Sequence, residues 1–224
     1  MKNNRVIYDS FYYDGKRKLW KTENFHDGLP PRPSAESVSE WKKKWNETNG
    51  YPEQEMALEK LFQQLLPENK ELSDILIKVC TLNDFYSTNL YKVLDVAKCI
   101  KEMNLDERLN SPNALPEYVD ILNEEVYKIT NKHIYSFATK YFSHHKSDIY
   151  PIYDSYVHKL LSYYRDTYHF FDFKDKKLLT YVGFYEVYDR FKQYFDLTEF
   201  TAKEIDKFLW QVGKHHFPKY RTEE

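Results

Sequence analysis

Residues 148–161 read DIYPIYDSYVHKLL and place a carboxylate where it could do chemistry. Pro151 disfavours helix at the residue before it, and the apolar spacing of Val157, Leu160 and Leu161 starts a helix directly afterwards. Asp154 therefore stands at or beside the N-cap of that helix, where its side chain can accept hydrogen bonds from free backbone amides and the helix terminus favours its charged form. Such a residue caps the helix; it can also act as an ionised carboxylate that stabilises positive charge developing on a bound substrate. Tyr86, Tyr150, Tyr153 and Tyr156 fall outside the inward stripes of the helices and cluster, in sequence, around this entrance and around residues 81–87. A wall of such rings suits a flat partner such as a nucleobase, which gains about 1–3 kcal/mol per stacked base. Core packing is the plainer use of the remaining aromatics.

Other chemistries have weaker signatures. His144-His145 and His215-His216 are adjacent pairs whose members point to different sides of a helix, so neither pair can chelate one ion as i, i+4 histidines do. With no HExxH and no paired CxxC, no metal site is expected. GxSxG is absent, so no serine triad announces itself. The chain has only five glycines and neither GxGxxG nor GxxxxGK[ST], which argues against a nucleotide cofactor. A net charge of −2 gives no global attraction to nucleic acid, so DNA binding would need a local basic face. Cys80 and Cys99 are too few for a disulfide framework or a four-thiolate cluster, and they suggest a reducing, cytoplasmic setting. No stretch has the apolar length of a signal sequence or a membrane span, so a soluble protein is expected.

The elements that must hold these residues read as helices. At 224 residues the chain can bury one substantial core. Residues 1–33 form an N-terminal extension: an aromatic, β-branched stretch over 5–13, the turn dipeptide Asp14-Gly15 and residues 16–25 predict a β-hairpin or an aromatic arm packed on the body. Residues 28–33 then read as a stiff linker. A single helical domain follows over 34–224. Ser34 or Ser37 caps a helix carrying Val38, Trp41 and Trp45, stopped at Asn49-Gly50. Further stripes are Leu58, Leu61, Phe62 and Leu65; Leu72, Ile75, Leu76 and Val79; and, after a break at 81–87, Leu90, Val93, Leu94, Ala97 and Ile100. A polar loop over 104–116 leads to Val119, Leu122, Val126 and Ile129, then to a helix over 132–145 with Ile134, Phe137, Ala138, Tyr141 and Phe142 inward. Beyond the Asp154 helix come Leu179, Val182, Val187 and Phe191, and a last helix capped by Thr201, carrying Ile205, Phe208, Leu209 and Val212, and closed by Gly213. The fold class is mostly α, a compact domain of roughly eight to ten short helices.

The order of a helix, a short turn, a second helix, a loop and then Pro151-Ile152-Tyr153-Asp154-Ser155-Tyr156-Val157 resembles the helix-hairpin-helix DNA glycosylase superfamily over residues 52–215. The resemblance implies an enzyme that cuts the N-glycosidic bond of a damaged or modified base extruded from double-stranded DNA, as in base-excision repair, acting as a monomer without cofactor. Asp154 would be its catalytic carboxylate. Lys132, at the start of the second hairpin helix, or Lys140 further along it, would contact phosphate or, in a lyase, serve as the amine nucleophile. Asn83, Tyr86 and Thr88, in TLNDFYSTNL, would fill the gap left by the base, and Tyr153 or Tyr156 would stack on it. The family's hairpin turn carries two glycines whose amides hold a phosphate; here Ile129-Thr130-Asn131-Lys132 has neither, and Asn131 would supply one left-handed residue. The iron–sulfur cysteines of some members are missing. The alternative is a non-catalytic helical module that binds DNA or protein, or a phage-defence component, in which Asp154 only caps its helix.

Overall fold

The computed structural model describes residues 5–7, 9–14, 17–48, 50–111, 115–218 and 220–222. Ser34 and Ser37 begin the helical body with a reciprocal capping box, each side chain accepting from the other's backbone amide, and α1 (Ala35–Glu47) follows. Gly50 takes a left-handed φ of 88° and Pro52 sits in the first turn of α2 (Tyr51–Glu59), which runs into a π-helical turn over Lys60–Leu65. Then come α3 (Leu72–Tyr86), α4 (Val93–Glu102), α5 (Leu105–Asn110), α6 (Glu117–Thr130), α7 (Tyr135–His145), α8 (Ser155–Tyr168), α9 (Tyr181–Tyr194) and α10 (Ala202–His216). The chain is thus mostly helical, with ten α-helices among the described residues. None of them is long and apolar enough to cross a membrane.

The N-terminal extension supplies two small antiparallel ribbons. β2 (Phe11–Asp14) pairs with β3 (Arg17–Trp20), with Phe11 opposite Trp20; Gly15, the second residue of the expected turn, lies outside the described residues. β1 (Arg5–Ile7) does not continue that hairpin but pairs with β4 (Tyr220–Thr222), a strand with no signal in the sequence analysis. The hairpin is also docked: Trp20 donates its indole N–H to Asp166 at 2.8 Å and lies against Phe25, Tyr163 and Phe217. Residues 28–33 are clamped rather than free, with Pro30 and Pro33 buried and the Pro31 carbonyl accepting from Tyr164 at 2.9 Å.

Several expected stripes shift. α3 continues through the expected break at 81–87 as far as Tyr86, because Leu82 is fully buried and Thr81 returns its hydroxyl to the Ile77 carbonyl within the helix. The break falls instead at Ser87, which adopts a left-handed φ of 48°. The polar loop over 104–116 contains α5, whose Leu105 and Leu109 are buried. Leu65, Leu94, Ile129, Leu179 and Val182 face outward; Val96, Cys99, Leu178, Tyr181 and Phe184 take inward places. The second hairpin helix starts at Tyr135, not at residue 132.

Gly213 does not close α10, which runs on to His216; a Cβ there would meet the Tyr156 carbonyl oxygen at 2.8 Å, so this glycine lets α10 approach the start of α8. Gly183 makes a closer approach still. A Cβ on it would stand 2.1 Å from the Lys177 carbonyl oxygen. Gly183→Ala is expected to push the turn over Asp175–Leu179 off the start of α9, at about 1–3 kcal/mol for overpacking and a Tm lower by roughly 2–10 °C in a thermal melt. An unchanged Tm would show that this turn yields without cost.

Candidate functional site

A cleft of about 1210 Å³ runs between α2, the C-terminal end of α3, α7, the entrance of α8 and one side of α10. Asp154 lies at its wall with extended backbone (φ −149°) and Oδ1 accepting from the amides of Tyr156 at 2.8 Å and Val157 at 2.9 Å. The expected N-cap is therefore present, and the carboxylate it holds belongs to the cleft. Lys140, on α7, is only 4% exposed and also lines the cleft. Its ammonium donates to the Ser136 hydroxyl at 2.7 Å, the Ser136 carbonyl at 3.2 Å and the Tyr153 carbonyl at 3.5 Å, all neutral oxygens. Burial pushes the Lys140 amine below the usual lysine range, against the opposing pull of Asp154 and Asp206.

Asp206, from the second turn of α10, joins Lys140 and Asp154 as a second carboxyl group that local sequence patterns did not single out. Its Oδ2 accepts from the Ile152 amide at 2.8 Å, which pins the loop before α8. Burial raises its carboxyl well above the usual range, and nearby Asp154 adds to the rise, while the Ile152 amide and Lys140 oppose it. Its Oδ1 has no hydrogen-bond partner. The same is true of the Tyr135 hydroxyl, and these are the two buried side-chain polar atoms without partners among the described residues. Both residues line the cleft. Buried polar groups are nearly always paired, so these two atoms are available to a water or other polar group that enters the cleft.

Aromatic rings surround these groups. Tyr153 stacks at a tilt on Tyr135, centroids 4.5 Å apart, and its hydroxyl meets His158 Nδ1 at 2.9 Å. Tyr86 lies 5.2 Å from the Lys140 ammonium and its hydroxyl reaches His144 Nε2 at 3.1 Å. Burial, helped by the charge of Lys203, holds His144 down at about 4, so its imidazole is neutral at pH 7. At the opposite wall Glu55 bridges Lys207 at 2.7 Å and Lys203 at 3.1 Å, tying α2 to α10.

Of the residues singled out from sequence, Asp154, Lys140, Tyr86, Thr88, Tyr153 and Tyr156 line this cleft. Asn83, Asn131 and Lys132 do not. Asn83 is a loop staple: its carboxamide oxygen accepts from Thr88 Oγ1 at 2.8 Å and the Leu90 amide at 2.9 Å, and its nitrogen donates to the Leu90 carbonyl at 3.2 Å. Asn131 adopts the left-handed conformation (φ 54°) that ends α6. Lys132 is exposed, with its ammonium on the Asn89 carbonyl and 4.8 Å from the Tyr91 ring. The turn's amides are used within the protein, Asn131 N–H to the Tyr127 carbonyl, Lys132 N–H to Thr130 Oγ1 and Ile134 N–H to Asn123 Oδ1.

The fold and site together define a helical protein with a buried lysine and two carboxylates at one aromatic cleft. Residues 37–149 match the family model HI_0787_N, described as an N-terminal domain, and because that span is just over half of the chain, the chain belongs to this family. Lys140 falls inside the matched span; Asp154 and Asp206 lie beyond it. A protein of Haemophilus influenzae, described as an uncharacterized protein, is 42% identical over 141 residues, which are 62% of this chain and 66% of that protein. The alignment thus spans just under two thirds of that relative's length. No solved structure matches the chain.

Proposed function

We propose that the cleft is the active site of a DNA N-glycosylase with an amine nucleophile, acting on a damaged or modified base extruded from the duplex. The observation that carries this reading is Lys140: a lysine buried in the cleft wall, held by neutral oxygens, with its basicity depressed, beside a carboxylate fixed at a helix mouth. The helix order that resembles helix-hairpin-helix glycosylases supports the same reaction class, and the tyrosines suit a flat base.

The chemistry follows from the groups present. The neutral Lys140 amine attacks C1′ of the nucleotide; the C1′–N bond breaks, and its electron pair leaves on the base. Asp206, whose burial favours the protonated acid, is the proton source for the departing base. Asp154 stabilises the positive charge that builds on the sugar and takes a proton from the attached amine. Asp154 returns that proton to O4′ as the C1′–O4′ bond opens, which leaves a protonated imine between Lys140 and the abasic sugar. Lys140 takes this role in place of Lys132, which stands outside the cleft.

The second reading is a binding module without catalysis, favoured by the internal hydrogen bonds of the hairpin-turn amides, which leaves those amides no phosphate to hold. One experiment separates the two. Purified protein is incubated with duplexes carrying plain, deaminated, oxidised and methylated bases, then treated with alkali to cleave abasic sites and, in parallel, with borohydride to trap an imine. Strand cleavage with a trapped protein–DNA adduct is expected for at least one duplex. Neither product on any duplex supports the module instead.

A further inference from the structure

The geometry points to a second site, away from the cleft: His26, Asp27 and His215 form a binding site for a divalent transition metal of the zinc class that staples the N-terminal extension to the last helix. Their ligand atoms all lie within 4.8 Å of one another. Asp27 Oδ2 is 3.0 Å from His215 Nε2 and 3.5 Å from His26 Nε2. Ligands at 2.0–2.1 Å in a tetrahedral zinc site stand about 3.3 Å apart, so these two distances straddle what one ion between the three side chains requires.

The arrangement is supported from behind. His216 is buried, and its Nδ1 lies 2.9 Å from the His26 carbonyl and 3.1 Å from the Gly28 carbonyl, while the His26 amide donates to the His216 carbonyl at 3.2 Å. The turn carrying His26 and Asp27 is therefore tied to α10 by the residue next to His215. Asp27 itself holds a left-handed φ of 52°, followed by Gly28 at 79°, and this pair of left-handed residues turns Asp27 toward both imidazoles. A non-glycine residue in that region costs free energy and persists where its surroundings hold it. The Trp41 ring packs on His215 with centroids 5.4 Å apart, giving the ligand an apolar flank.

Adjacent histidines on one helix cannot share an ion, and this site does not ask them to. His215 and His216 divide the work: one presents its ring to Asp27 and His26, and the other fixes the backbone that carries them, as an outer-shell partner does. Two imidazoles and one carboxylate suit zinc and its neighbours, whereas magnesium and calcium prefer all-oxygen sites. None of the three residues lines the cleft, so this site stands apart from the proposed reaction.

The test uses the full chain, stripped of metal with a chelator and titrated with zinc by calorimetry in a non-coordinating buffer. One zinc per chain is expected, with a higher unfolding midpoint on saturation and no response to magnesium. Asp27→Asn and His215→Ala should each weaken binding at least about tenfold and remove the rise in midpoint, with circular dichroism like the parent's. Absence of saturable uptake in the parent at about 100 μM zinc overturns the site. So does uptake by both variants with the parent's affinity and stoichiometry, because the ion would then sit on other histidines.

Discussion

Lys140→Met is expected to lower abasic-site formation roughly a thousandfold or more and to abolish the borohydride adduct, while leaving the protein at least as stable as the parent. The loss of activity follows from removing the attacking nitrogen. Groups that act as one unit lose nearly everything when one is deleted, and Lys140, Asp154 and Asp206 are electrostatically linked in the cleft. The stability outcome is the more discriminating half. A lysine placed for structure should cost stability when replaced, yet this one sits at 4% exposure without an ion pair among the described residues. Methionine matches its length without a charge to desolvate, and such exchanges are neutral or stabilising by up to about 3 kcal/mol. The acceptors left behind keep other donors. The Tyr153 carbonyl still receives Ser136 Oγ at 3.2 Å, and the Ser136 carbonyl still receives the one hydroxyl proton of Thr139 at 3.0 Å.

The same exchange predicts a pH signature. The folded-state pKa of Lys140 lies below its unfolded value of about 10.5, so between the two the unfolded chain binds more protons than the folded one. Parental stability therefore gains from this group as pH rises through that window, and the full cost of the buried charge is felt below it. The advantage of Lys140→Met should be largest near neutral pH and shrink toward pH 10, read from urea midpoints at a series of pH values. An advantage that grows with pH would mean the amine is not depressed in the native state.

Sequence periodicity made the helical body legible because each inward stripe is a local pattern. The stripe on α8, Val157, Leu160 and Leu161, is fully inward, as is that on α10. Misplacements came where a long-range contact overrode a local cue. The polar run at 81–87 looked like a break, but its threonine bonds within α3 and its leucine enters the core. Gly213 reads as a terminator, whereas its missing Cβ serves a helix crossing with Tyr156, far away in the chain. The site divides the same way. Asp154 and its tyrosines share one stretch of chain and could be read together, while Asp206 is one carboxylate on an amphipathic helix, and only the fold sets it against the Ile152 amide. His26-Asp27 was equally silent, because its partner His215 lies at the other end of the chain.

Asp154 can be divided into its two roles by two substitutions. Asn is as good an N-cap as Asp, since its carboxamide oxygen can accept from the Tyr156 and Val157 amides as Oδ1 does now. Asp154→Asn should therefore leave Tm within about 2 °C of the parent, allowing for the lost favourable interaction of a negative charge with the helix N-terminus. Asp154→Ala removes the acceptor and should cost about 1 kcal/mol, with Tm lower by roughly 2–4 °C. Activity orders the variants differently. Both lack the charge that would stabilise a cationic sugar, and both are expected to lose roughly 10²–10⁴-fold in single-turnover base release. A neutral residue there also removes a charge that holds Lys140 protonated, so the rate remaining in Asp154→Asn should reach its plateau at lower pH than the parent's. A helix cap alone predicts the opposite pairing: Asn active and Ala impaired in proportion to its stability. Measured together, the melts and the rate profiles decide whether the carboxylate at the mouth of α8 holds the helix or also serves the reaction.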